Sequence, residues 1–181
     1  ADFTYGHRVS NRAIDFICRH KDEDFFLVVS YDEPHHPFLS PKPFSEMYKN
    51  ANFKPFDNEN DDLSRKPIHQ QVWAEYIHDH YEYSREEFFQ LFFGANAFID
   101  DEIGRVVQSI DEYTPNAMVI YTSDHGEMMF AHGLAKKGPA MYEEITNIPL
   151  IVRFPGNLIA NSESNLLVSH IDITPTVLDY F

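Results

Sequence analysis

Apolar residues recur at intervals of three and four from Phe88 through Phe92, Ala95, Ile99, Ile103 and Val106 to Ile110. That is the spacing of one face of an α-helix. The pattern predicts a helix over Arg85 to Glu112, with Ser84 and Glu87 placed for a capping box at its start and Thr114-Pro115-Asn116 ending it. A shorter stretch of the same period, Ala13, Phe16 and Ile17, predicts a helix over Val9 to Lys21. Elsewhere the pattern changes. The runs "DFFLVVS" (24–30), "AMVIYTS" (117–123) and "IPLIVRFPG" (148–156) are nearly continuous in apolar residues, as in strands buried on both faces. "DITPTVLDYF" then predicts a last helix, with Asp172 as its cap and Pro175 in its first turn. Helices alternating with apolar strands imply an α/β fold with a mainly parallel sheet flanked by helices. The stretch Asn52 to Gln71 is polar and irregular and reads as a surface loop whose acidic cluster is solvated.

The length of 181 residues suits one domain with a full core. Asp and Glu number 29 against 14 Lys and Arg, a net charge of −15. Such a surface repels nucleic acid and anionic membranes, so an anionic substrate needs local positive charge. No apolar run approaches the roughly 20 residues of a membrane-spanning helix. The single cysteine, Cys18, excludes an internal disulfide and is expected as a buried thiol on a helix face. It is compatible with a bacterial cytoplasm or periplasm and does not separate the two.

In open α/β sheets ligands gather at the carboxyl ends of strands. Two loops there are chemically rich: "YDEPHHPF" after the first apolar run and "SDHGEMMFAHGLAKKG" after the second. Asp124 and His125 offer an O/N donor pair for a divalent cation, with Gly126 allowing a tight turn. The alternative is an Asp that caps a helix with His beside it. His132 and Lys137 can hold an oxyanion by charge-assisted hydrogen bonds. His35 follows a proline and can face the same cleft, whereas His36 should face the other way. His78 and His80 have ligand-like types but adjoin no strand end, and are placed on a surface or lid segment.

Together these segments resemble the sulfatase family of the alkaline phosphatase superfamily. "YTSDHGEMMFAHGLAKKGPAMYEEITNIPLIVRFPG" is similar to the second half of its catalytic domain. "DFFLVVSYDEPHHPF", "AFIDDEIGRVVQSI" and "VSHIDITPTVLDYF" match its Pro-His-x-Pro-Phe strand end, its Ile-Gly-Arg-Val helix and its closing His-x-Asp-Ile-x-Pro-Thr segment. The resemblance implies an alkaline-phosphatase-like sandwich and hydrolysis of a sulfate ester, on a small molecule or a saccharide. It implies Asp124 and His125 as metal ligands, Lys137 and His35 as sulfate-binding groups, and His132 on the leaving-group side. The implied cofactor is a divalent cation, Ca²⁺ first, with Mg²⁺, Mn²⁺ or Zn²⁺ as alternatives. Asp-His in place of Asp-Asn is similar to the choline-sulfatase and phosphonate monoester hydrolase branch, so phosphonate monoester or phosphodiester hydrolysis is the rival activity. A non-catalytic binding module is the rival of another class.

One departure stands out. The family's formylglycine nucleophile comes from Cys- or Ser-x-Pro-x-Arg, yet Cys18 is followed by "RHK" and Ser40 by "PKP". Its Asp-Asp metal ligands at a first strand end also have no counterpart. Residues 1–181 are therefore expected to be the distal part of a sulfatase catalytic domain. The nucleophile strands and the small C-terminal domain would then lie outside it.

Overall fold

The computed structural model describes residues 3–156 and 162–181. Its axis is the long helix. Helix α1 spans Tyr5–Arg19, α2 Phe44–Met47, α3 Ile68–His80 and α4 Arg85–Tyr113. Strand β1 follows at Val119–Thr122, then α5 (Glu143–Thr146), strand β2 (Leu150–Arg153) and α6 (Ile173–Tyr180).

The predicted long helix forms where its period placed it, and for the stated reason at its start. The Ser84 side chain accepts from the Glu87 backbone N–H while the Glu87 carboxylate accepts from Ser84 N–H, satisfying two otherwise orphaned donors. Its buried line is rotated from the expected one, running through Phe88, Ala95, Phe98, Ile99, Glu102, Val106 and Ser109. Ile103 and Ile110 lie at its margins, only partly buried. The rotation occurs because α1 packs on the Glu102 side. Gly6, Ser10, Ala13 and Ile17 form the buried stripe of α1, and Ala13 and Ile17 meet Val106 in one cluster. At Gly6 the helices come so close that a Cβ would stand 2.8 Å from Ile99 Cδ1.

A polar network sits inside this helix pair. Glu102 Oε1 lies 2.7 Å from His7 Nδ1, and Arg105 donates to Glu102 Oε2 at 2.6 Å. Burial alone would push the Glu102 carboxyl up, but the His7 and Arg105 hydrogen bonds, aided by Ser10, hold it below its usual range. Cys18, by contrast, lies on the exposed side of α1. It falls outside the i, i+3, i+7 stripe of Ser10, Ala13 and Ile17, which corrects the buried-thiol expectation.

The aromatic half of the core gathers around the first turns of α4. Phe38 packs edge-on to Phe88 at 5.2 Å, and Phe130 does the same at 5.4 Å. Both chemically rich loops therefore rest on one residue of α4. A third cluster, Met128, Ala131, Leu134 and Ile145, joins the second loop to α3 through Trp73.

The sheet departs from expectation. Among the described residues β1 and β2 pair antiparallel, with Val119 opposite Arg153 and Thr122 opposite Leu150. The chain between them folds back as a loop with a 3₁₀ turn at Ala131–Gly133 and one short α-helix, α5, and β2 returns alongside β1. The run 24–30 is extended without ladder bonds. Leu27 and Val29 pack on the α1–α4 cluster, while Phe26 and Val28 are 65% and 70% exposed. It has the backbone and composition of a strand and no ladder partner among the described residues. The fold is α/β, helix-rich, with a small antiparallel sheet.

The segment taken as a polar loop holds more structure than expected. Asp62 caps a 3₁₀ turn at Leu63–Arg65, and α3 follows directly. His78 and His80 form the last turn of α3. At the chain's end, Asp172 caps backwards, its carboxylate accepting from Ser169 N–H at 2.7 Å, and Pro175 occupies the first turn of α6.

Candidate active site at the end of strand β1

Strand β1 ends at Thr122, and the chemistry begins two residues later. Ser123 donates to the His125 carbonyl at 3.0 Å, and His125 N–H donates to Asp124 Oδ1 at 2.8 Å. These bonds turn Asp124 outward, leaving its side chain 81% exposed. Partial burial works to raise the Asp124 pKa, but the His125 N–H and the His125 imidazole outweigh it and hold the carboxyl below its usual range. His125 Nδ1–H donates to the Gly126 carbonyl at 2.9 Å, which leaves Nε2 as the ring nitrogen directed at Asp124. That Nε2 lies 3.4 Å from Asp124 Oδ2. A carboxylate and an imidazole nitrogen thus converge, residue types that suit a divalent cation. No group of three or more His, Cys, Asp or Glu side chains converges as a metal site among the described residues.

Gly126 serves a different purpose from a left-handed turn. Its φ is not positive. Its N–H donates to Ile145 O at 2.8 Å, and a Cβ would collide with the Glu144 carbonyl oxygen. Glycine is there because two backbones meet.

Beyond Gly126 the loop is strained. Met129, Phe130, His132 and Lys136 all have positive φ, which costs a non-glycine residue about 1–3 kcal/mol each. The surroundings hold it there: Met128 N–H donates to Lys136 O at 3.0 Å, and Met128, Ala131 and Leu134 are buried. Glu127 lies at the loop's inner side. Burial pushes its carboxyl above the usual range, against the pull of the Lys137 ammonium and of the backbone N–H groups of Met129, Lys136 and Met128. Its Oε1 is buried with no hydrogen-bond partner among the described residues. Lys136 turns the other way, over the Tyr81 ring at 5.2 Å.

His132 has both ring nitrogens engaged. Nδ1–H donates to Asp61 Oδ2 at 2.7 Å, and Asn58 Nδ2 donates to Nε2 at 3.2 Å. The same Asn58 amide donates to Glu144 at 2.9 Å, and Tyr142 stacks on the imidazole at 4.0 Å. Asp61 and Asn58 belong to the stretch expected to be merely solvated.

His35 stands apart. Its Nδ1–H donates to the His36 carbonyl at 2.7 Å, leaving Nε2 free. No hydrogen bond or ion pair joins it to Asp124, His125 or Lys137 among the described residues. The link is mechanical, through Phe38 and Phe130 on Phe88. His36 faces elsewhere, pairing with Glu82 at 2.5 Å. His170 was assigned no role from the sequence, yet its Nε2 lies 2.7 Å from Ser123 O, donating to the strand end itself. The signal for it was the His-x-Asp spacing of the closing segment.

A family profile of sulfatases matches residues 2–181. The chain belongs to the sulfatase family. It is 45% identical over 179 residues to the uncharacterized sulfatase YidJ of Escherichia coli (strain K12), covering 97% of this chain and 36% of that protein. It is 30% identical over 184 residues to an arylsulfatase of Clostridium perfringens, covering 95% and 37%. Its fold matches, at TM-score 0.79 and 20% identity, a structure solved in complex with its substrate D-glucosamine-2-N,6-O-disulfate. That match covers 97% of this chain and 48% of the other. This sulfatase chain thus spans about a third of the length of the curated relatives it matches.

Proposed function

We propose that this sulfatase chain carries the metal-binding and sulfate-binding loops of a hydrolase acting on sulfate esters, with a sulfated saccharide as substrate. The observation that carries the reading is the convergence of Asp124 and His125 at the end of β1, in a chain of sulfatase sequence. Asp124 and His125 would hold a divalent cation, Ca²⁺ before Mg²⁺, Mn²⁺ or Zn²⁺, since an exposed carboxylate is a hard oxygen donor. Such a cation polarises the ester oxygens and stabilises charge that builds on them.

The protein's own groups do the rest. Lys137 brings a fixed positive charge beside the loop, which the overall charge of −15 does not otherwise supply. It would neutralise sulfate oxygens in the transition state. His35, with Nε2 free, would approach the sulfate from the opposite loop. The nucleophile of the resemblance has no motif in residues 1–181, and the reading places it in the remaining length that the relatives possess. By the same reading, the extended run 24–30 pairs with strands of that remainder, completing a mainly parallel sandwich in which residues 1–181 are the distal part of the catalytic domain.

The saccharide preference draws support from the structural neighbour that binds a glucosamine disulfate. The test is an assay of the complete protein on 4-nitrophenyl sulfate beside a 4-nitrophenyl phosphonate monoester. Faster turnover of the sulfate is expected. Preference for the phosphonate would assign the chain to the rival activity on this scaffold. Turnover of neither, in folded and metal-loaded protein, would make it a binding module.

A further inference from the structure

We infer that Phe56–Asp61 forms a specificity wall for the part of the ester beyond the sulfate, and that His132 is the positioning residue that latches this wall in place. The inference rests on the sulfatase reading of Asp124, His125 and Lys137. It gives His132 a role other than leaving-group chemistry.

The wall faces a cleft of about 560 Å³, whose opposite side is Glu127, Met128 and Met129. That volume falls within the range of about 300–1,000 Å³ usual for small-ligand sites. Its polar lining, from Asp57, Asn58, Glu127 and Glu144, is rich in acceptors, and its apolar lining comes from Phe56, Phe92 and the two methionines. Carboxylate and amide oxygens accept from hydroxyls while flat apolar surface takes the C–H face of a ring. A polyhydroxylated ring fits that mixture. The buried, unpartnered Oε1 of Glu127 is one polar atom left for such a ligand.

Two clamps hold the wall. At one end Arg85 binds Glu59 at 2.8 Å and the carbonyls of Phe53 and Lys54 at 3.1 and 2.8 Å. At the other end is His132, only 13% exposed. Its backbone N–H donates to Asn58 O at 3.0 Å and its ring bridges Asp61 and Asn58. An imidazole that donates from Nδ1, accepts at Nε2 and is covered by Tyr142 is fully used. It can give a proton to a leaving group only by releasing Asn58, and with it the wall. The strained φ of His132, +56°, is what lets backbone and ring reach the wall together.

The test uses the complete protein, with 4-nitrophenyl sulfate and a panel of monosulfated hexoses and hexosamines as probes. Asp61→Ala should raise KM for the best saccharide sulfate about tenfold or more, with kcat and nitrophenyl sulfate turnover within about twofold. Amide hydrogen exchange over residues 56–61 should accelerate in the same variant. Asp61→Asn keeps an acceptor for Nδ1–H and should restore much of the affinity. Equal losses on aryl and saccharide sulfates would overturn the inference, as would unchanged exchange over 56–61. So would His132→Ala abolishing nitrophenyl sulfate turnover while Asp61→Ala keeps it, because His132 would then act on the reacting atoms. Turnover of the aryl sulfate alone by the wild type removes the saccharide wall. Turnover of no sulfate defeats the sulfatase reading itself. Turnover of both, with Asp61→Ala matching wild type in KM and exchange, defeats this inference and leaves that reading standing.

Discussion

Glu102 on α4 and His7 on α1 meet at 2.7 Å inside the contact between the two helices, and Arg105 closes on the same carboxylate at 2.6 Å. The Glu102 carboxyl is held below its ordinary value of 4.5, so between the two values the unfolded chain binds more protons than the folded one. The stabilisation is fully present above about pH 4.5 and is lost as pH falls through the folded value. Glu102→Gln should flatten this acid limb in thermal melts taken from pH 7 to pH 3. Glu102→Ala should cost about 2 kcal/mol at pH 7, less than a fully buried pair because Arg105 keeps access to water. An acid limb identical in wild type and Glu102→Gln would show that the pair does not carry it.

Gly126 should tolerate no side chain. Gly126→Ala drives a Cβ into the Glu144 carbonyl, and relief requires separating the backbones that share the Gly126–Ile145 hydrogen bond. The expected cost is about 2–3 kcal/mol of stability, the range of overpacking a tight site, with loss of turnover because Asp124 and His125 shift. Urea unfolding of the complete protein reads the first and a sulfatase assay the second. A midpoint equal to wild type would mean the approach is looser than this geometry.

Asp124→Ala should leave the fold intact, because the side chain is exposed and its hydrogen bonds are local. Metal content, measured by elemental analysis after dialysis, should fall, and turnover should drop by more than about a hundredfold, since losing a ligand exceeds the 10–100-fold effect of its supporting partners. Full metal occupancy in a folded Asp124→Ala protein would remove Asp124 from the ligand set.

Residues 1–181 expressed alone should be inactive and sticky. Phe26, Val28, Ile151 and Leu167 are 65%, 70%, 63% and 102% exposed, and the extended run 24–30 offers unpaired backbone to other chains. The isolated piece should bind a hydrophobic dye and form soluble oligomers by light scattering. On the reading proposed above, in which 1–181 is the distal part of a longer catalytic domain, the longer chain should suppress both. A monodisperse, dye-silent 181-residue protein would contradict this account of the exposed face.

Local pattern by itself determined the long helix, its capping box and the presence of extended runs at 117–123 and 148–156, because these depend on residues within a turn or two of each other; that the two runs pair with each other, and antiparallel, was decided by the tertiary structure. The Asp124-His125 pair was legible for the same reason: its donor convergence is built from bonds spanning one or two residues. What lay beyond the sequence was every feature set by a distant partner. A run such as 24–30 reads the same whether it has neighbouring strands or none. Which side of α4 is buried depended on where α1 came to rest, and Glu102 could be buried only because His7 arrived from 95 residues away. Asp61 in an acidic loop looks like any solvated carboxylate. Only the strained turn at His132, 71 residues later, brings an imidazole to it and turns the loop into a wall.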